Sequence, residues 1–182
     1  NADAVLYLDA EGNLHRQAAK AVCVAGNSIE SPRLLLLSAS SMFPDGLANS
    51  SGQVGRNYMR HLTGSVYARF DKPVHMYRGE TMAGIIADEQ PHDPSRGFVG
   101  GYYMETLALG PSFLASFADP GAWGADFTKI MDAYSHTAGM WIVGEDMPQS
   151  SNRVTLSSSK RDKWDLPAAN VHYDDHKNDL AM

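Results

Sequence analysis

Ala21-Val22-Cys23-Val24-Ala25-Gly26-Asn27-Ser28-Ile29-Glu30-Ser31-Pro32-Arg33-Leu34-Leu35-Leu36-Leu37-Ser38 carries the clearest structural signal in this chain. The run up to Ala25 is continuously apolar and closed by Gly26, which suits a strand covered on both faces. Ser31-Pro32 marks a helix entrance: serine caps orphan amides and proline suits the first turn. The expectation is a strand Val22–Gly26, a turn, and a helix starting at Ser31 or Pro32. Leu34, Leu35, Leu36 and Leu37 cannot all face one side of that helix. Part of the run is therefore expected to be bare, mobile, or covered by a second copy of the chain. Cys23 reads as a buried, inert thiol, and as the sole cysteine it excludes an intrachain disulfide or a multi-cysteine metal site.

Upstream, Val5–Leu8 and Leu14–Val24 are strand-like runs around Asp9-Ala10-Glu11-Gly12-Asn13, a hairpin signal. Downstream, residues 40–54 are rich in Ser, Gly, Asn and Pro and read as loop. Strand patterns follow at Gly64–Phe70, Met82–Ala87, Phe98–Thr106, Gly139–Glu145, Arg153–Ser157 and Ala169–Asp174. Val66, Ala68 and Phe70 share one face by alternation, as do Trp141, Val143 and Glu145. Helices are expected at Ser112–Phe117 and at Trp123–Ser135, the latter packing on the sheet through Phe127, Ile130, Met131 and Tyr134. Asp175 is expected to cap a last helix. Turn-rich links in place of regular helical crossovers make the class α+β, a mainly antiparallel sheet with helices on one face plus an N-terminal hairpin-and-helix piece. The domains expected are 1–61 and 62–182, with the boundary near His61.

The sequence has 182 residues, 43% hydrophobic and 20% charged, an ordinary globular balance. A net charge of −6 argues against general nucleic-acid binding, which needs a basic surface. Lys160, Arg161 and Lys163 alternate with Asp162 and Asp165 and read as a solvated turn. No run approaches the roughly 20 apolar residues of a membrane span. The start Asn1-Ala2 is compatible with a cloning remnant. The compartment stays open between cytoplasm and periplasm.

Three motifs stand in order along the chain. Ser31, Pro32, Leu34, Leu35 and Ser38 form the first; Val54-Gly55-Arg56-Asn57 within Gly46–His61 forms the second; Asn152-Arg153-Val154-Thr155-Leu156 followed by Asp165-Leu166-Pro167 forms the third. Together they resemble the glucose–methanol–choline family of flavin-dependent oxidoreductases, closest in look to its gluconate and sorbitol dehydrogenase branch. Asn27 and Ala39-Ser40-Ser41 depart from the usual Gly/Ser and Gly-aliphatic-Gly of that pattern.

The resemblance implies that 1–61 is the end of an FAD-binding part and that 62–182 is a truncated substrate-binding domain. It implies a parent enzyme that oxidises a hydroxyl of a sugar, sugar acid or polyol by hydride transfer to flavin, with an electron-transfer subunit as a partner. Ala25, Gly26 and Asn27 are then the cofactor-binding candidates, and Tyr102, Trp141 and Glu145 line the substrate pocket. The dinucleotide turn G-x-G-x-x-G is absent and lies upstream in the family, while the catalytic histidine lies downstream. This chain alone is therefore expected to be inactive and not to hold FAD, and none of its residues is assigned as catalytic or metal-binding. His172 and His176 read as a surface turn. Asn49-Ser50-Ser51 fits the glycosylation pattern, a frequent chance match. The alternative is a stand-alone, non-catalytic α+β binding module.

Overall fold

The computed structural model describes residues 2–182, so Asn1 of the Asn1-Ala2 start lies outside them. Among the described residues, eight strands and three α-helices make an α+β chain whose sheets are antiparallel. It divides into two compact units, Asn1–Tyr58 with Pro148–Asp174, and Met59–Met147 with Asp175–Met182. The first boundary falls three residues before His61, and residues 148–174 return to the first unit instead of continuing the second.

The first unit begins with an antiparallel hairpin, β1 (Ala4–Leu8) and β2 (Leu14–Ala18). Asp9 builds its turn. One carboxylate oxygen accepts from the Glu11 and Asn13 amides and the other from the Asn13 and His15 side chains, at 2.8–3.1 Å. The hydrogen bonds from His15 and Asn13 hold the Asp9 carboxyl down at about 2.

The expected strand Val22–Gly26 does not form, and β2 stops at Ala18 instead of Val24. A strand exists only where a neighbour satisfies its amides and carbonyls, and residues 21–25 meet none among the described residues. Cys23 is accordingly exposed and not buried. Helix α1 spans Asn27–Leu37, one turn earlier than Ser-Pro implied, with Pro32 inside it. Asn27 takes φ 69°, and its side-chain oxygen accepts from the Ile29 and Glu30 amides at 2.8 and 3.0 Å. Asparagine tolerates that left-handed conformation and out-competes serine as the cap. None of the four leucines is buried, and Leu34 is 48% exposed.

Helix α1 packs on β7 (Arg153–Arg161) and β8 (Pro167–His172), a hairpin with a bulge after Leu156. Arg33 fastens the contact. Its guanidinium reaches Asp162 at 2.6 Å, the Pro167 carbonyl at 2.9 Å and Glu30 at 3.0 Å. The hydrogen bond from Arg33 lowers the Asp162 pKa, and the same bond raises that of Arg33. Asp162 also accepts the Trp164 and Leu166 amides, which organises the turn, while Lys160, Arg161 and Lys163 are exposed, as expected of a solvated turn.

The deepest polar group of this unit is Asn152, fully buried at 0% exposure. Its amide nitrogen donates to the Asp174 carbonyl and its amide oxygen accepts from the Asp174 N–H, both at 2.9 Å. Its own carbonyl accepts from Tyr58 at 2.9 Å, and two residues on Val154 donates to the Gly55 carbonyl at 2.7 Å. Gly55 has φ 82°, and a Cβ there would drive into the Val154 carbonyl oxygen. The second and third motifs are thus the two sides of one close backbone approach.

The second unit is a four-stranded sheet in the order β3-β6-β5-β4, with β3 Leu62–Arg69, β4 Ile85–Ile86, β5 Tyr102–Thr106 and β6 Thr137–Gly144. Helices α2 (Pro111–Ala118) and α3 (Ala125–Ala133) pack on each other. Phe127, Ile130, Met131 and Tyr134 are half-buried, and the Tyr134 hydroxyl donates to the Leu109 carbonyl at 2.5 Å. Trp123, expected to open α3, precedes it and is exposed. The helix expected from Asp175 is only a short 3-10 turn at Asp179–Ala181. The buried Asp179 carboxylate takes the Met147 and His176 amides at 3.2 and 3.1 Å and tethers that segment to the end of the strand region. Burial, with the adjoining Asp146 carboxyl, pushes the Asp179 pKa up.

Two outcomes are expected. Replacing Asn152 by Ala should cost about 1–3 kcal/mol of unfolding free energy in urea, because the Asp174 N–H loses its acceptor and the Asp174 carbonyl keeps only Gln149, which donates to it at 3.0 Å. Asn152→Leu, of similar volume, should lose as much; a Leu variant as stable as the parent would show that only packing matters there. Because the Asp179 pKa is raised, its contribution is fully present at low pH and is lost as pH rises through the elevated value. Asp146→Asn keeps an acceptor for the Arg60 amide, which bonds Asp146 at 2.6 Å, and removes the like charge. The urea midpoint, followed from about pH 4 to 8, should therefore fall less with rising pH in Asp146→Asn than in the parent. Identical pH profiles would contradict this.

Candidate functional site

The first candidate site is the turn Ala25, Gly26 and Asn27 in the first unit. All three are exposed. The Gly26 N–H donates to the Ser31 hydroxyl at 2.9 Å, and the Asn27 side chain is engaged with its own helix. A Cβ on Gly26 would come no closer than 3.4 Å to Glu30 and Ser31, so packing within this chain does not demand the glycine. The turn offers small side chains and bare backbone; its Gly26 N–H and Asn27 side-chain oxygen are partnered, and its small residues leave room for a flat ring system to lie against it.

The second candidate site lies in the second unit, where strand register decides which side chains share a face. Residues directly opposite in an antiparallel pair point the same way. Trp141 lies opposite Ser65 and Glu105, and Val143 opposite Thr63 and Tyr103. On this face Val143 is buried, Trp141 and Glu105 are half-buried, and Thr63 and Ser65 are exposed. On it the Tyr67 ring lies across Gly139, where a Cβ would collide with the ring. Tyr102 lies opposite Gly144 and belongs to the other face, with Met104, Ile142, Met140, Val66 and Ala68. Glu145, just past β6, is exposed and donates its amide to the Gly101 carbonyl at 3.1 Å. The structure therefore brings Trp141 and Val143 onto one face, as alternation indicated, and separates Tyr102 from Trp141.

Alternation alone did not show that the face opposite Trp141 is hollow. A depression of about 590 Å³ is lined there by Val66, Phe70, Met104, Met140 and Ile142 among others. Val66 is 58% exposed within it. The signal for it was present in the sequence as the alternating Val66, Ala68 and Phe70, but nothing in one strand tells which face is covered. A second, more polar depression of about 680 Å³ lies in the first unit beside Arg56, Arg153, Ser50 and Ser51. Asn49 is a loop staple next to it. Its amide nitrogen, the atom a glycan would need, donates to the Asp45 carbonyl at 2.7 Å, and its oxygen accepts from Val54 at 3.0 Å. Among the described residues no group of three or more metal-ligating side chains comes together, and no helix is long and apolar enough to cross a membrane.

No protein-family profile matches the chain. It is, however, similar along nearly its whole length to characterised oxidoreductases. It is 36% identical to 2-methyl-1,2-propanediol dehydrogenase of Mycolicibacterium austroafricanum, over 97% of this chain and 33% of that protein. It is 28% identical to the fructose dehydrogenase large subunit of Gluconobacter japonicus, over 94% of this chain and 32% of that protein. It is 30% identical to paromamine 6'-oxidase of Streptomyces fradiae, over 91% of this chain and 29% of that protein. The chain thus spans about a third of the length of the curated relatives it matches. The chain that carries the three motifs, in order, is thus similar over nearly its whole length to two dehydrogenases and an oxidase.

Proposed function

We propose that this chain is the middle third of an FAD-dependent oxidoreductase that oxidises a hydroxyl of a polyol, alcohol, sugar or sugar acid. The observation that carries the proposal is the 36% identity to a diol dehydrogenase over 97% of the chain. FAD, when bound, supplies the two-electron acceptor: the carbinol carbon gives up a hydride, the hydroxyl gives up a proton, and a carbonyl remains.

In this reading the chain's residues position and do not react. Ala25, Gly26 and Asn27 lie along the cofactor, held there by the Asn27 cap and the Gly26–Ser31 bond. The sheet of the second unit supplies a wall of the substrate pocket, with Tyr102, Trp141 and Glu145 as candidate contacts. The base that takes the hydroxyl proton is a histidine outside these residues. One relative is named as a large subunit, which supports an electron-transfer subunit as a partner of the whole protein. The exposed Leu34 supports association of the chain through helix α1, with a second copy when it is alone.

The test compares the protein made from the whole gene with the 182-residue chain. The whole protein should purify with the visible absorbance of oxidised flavin, and that absorbance should bleach anaerobically on addition of its alcohol. The chain alone should retain no stoichiometric flavin. A colourless whole protein that takes up no added FAD, or a chain that binds FAD one to one, would overturn the assignment.

A further inference from the structure

The bare face of the four-stranded sheet is chemically one-sided. Among the described residues lining its hollow, only Glu80 and Thr106 carry polar side-chain atoms. The Thr106 hydroxyl already accepts the Gly84 amide at 2.9 Å. Glu80 is exposed, at the rim. The floor is made of Val66, Met104, Met140 and Ile142, interdigitated across β3, β5 and β6 by the register Val66↔Met140 and Met104↔Ile142.

A volume of about 590 Å³ lies within the usual range of small-ligand pockets, so size alone would admit a sugar as readily as a small diol. Polarity decides. A sugar turned toward this floor would strip water from several hydroxyls and find only the Thr106 hydroxyl and the Glu80 carboxylate at the rim to replace it. A branched aliphatic alcohol would cover methyl and thioether surface and keep its few hydroxyls facing away. Methionine adds to this, because its flexible, polarisable side chain moulds to irregular apolar groups.

Resting on the redox reading above, we infer that this hollow receives the hydrocarbon body of the substrate and selects branched or otherwise apolar alcohols and diols over sugars. Val66, Met104, Met140 and Ile142 are its specificity-determining residues.

The test uses the 182-residue chain with carbon-13-labelled methionine methyl groups, titrated in parallel with 2-methylpropan-2-ol and with glucose. The Met104 and Met140 methyl resonances should shift saturably with the alcohol. Met42, exposed in the other unit, should not shift, and glucose should move none of the three. Val66→Thr and Ile142→Thr keep β-branched residues in the strands, so the sheet should survive. Each should weaken the alcohol response by roughly 10-fold or more, the scale on which an apolar pocket registers such a change. An equal or stronger response to glucose, silence of Met104 and Met140, or variants that respond like the parent would each overturn the inference. A methionine response without flavin chemistry in the whole protein would leave an apolar-alcohol site and remove the redox reading. Flavin chemistry without the methionine response would keep the redox reading and place substrate selection elsewhere.

Discussion

The Asn152 amide is the constraint on which the first unit turns. One side chain with no solvent exposure pairs both its donor and its acceptor with the backbone of Asp174, while its own carbonyl takes the Tyr58 amide. A buried amide is tolerable only when all its hydrogen bonds are made, which rules out slippage of either strand against it. The Gly55–Val154 approach works with it. The glycine has no side chain because a carbonyl occupies that space, and Val154 is buried as a result. Residues nearly 100 positions apart in sequence are thereby fixed to the same few ångströms, and the hairpin β7–β8 is set in place to receive helix α1 through Arg33.

The second unit follows a different rule, the inequality of the two faces of one sheet. One face keeps Val143 and the Tyr67–Gly139 pair covered; the other leaves Val66 and a methionine-rich floor open. An exposed apolar patch of this kind is the feature of a folded surface that asks for an occupant. Its concavity and its poverty in hydrogen-bonding groups are what give the occupant a chemical character. The same division explains why the aromatic residues of the sheet are not interchangeable: Tyr102 and Trp141 lie on neighbouring strands but point to opposite sides.

Much of this was legible in the sequence where the cause is local. The hairpin β1–β2 follows from its Asp9–Asn13 turn, and the strands of the sheet from alternation. The three family motifs kept their order because each marks a backbone device that other side chains cannot reproduce. The misreadings share one cause. Val22–Ala25 has the composition of a buried strand, but burial and pairing are supplied by neighbours, and among the described residues it has none to pair with. Ser31-Pro32 looks like a helix start because proline suits a first turn, yet Asn27 adopts a positive φ and caps the helix a turn sooner. Arg33 with Asp162, 129 residues away, and the Asn152 clamp are tertiary events with no periodic signature. The hollow was partly legible: alternation put Val66, Ala68 and Phe70 on one face, and only the pairing of several strands could add Met104, Met140 and Ile142 and show which face is open.

The three lines meet in one picture, a sheet with an open apolar hollow in one unit and a turn of exposed backbone in the other, in a chain related along its length to alcohol and sugar oxidoreductases. The most direct test is a crystal structure of the protein encoded by the whole gene, with FAD and a branched alcohol bound. The account requires Ala25–Asn27 against the cofactor, and Val66, Met104, Met140 and Ile142 within about 4.5 Å of the alcohol's carbon atoms, the distance of ordinary apolar contact. A structure in which that floor is filled by side chains from elsewhere in the protein, with the alcohol bound away from it, would contradict the account.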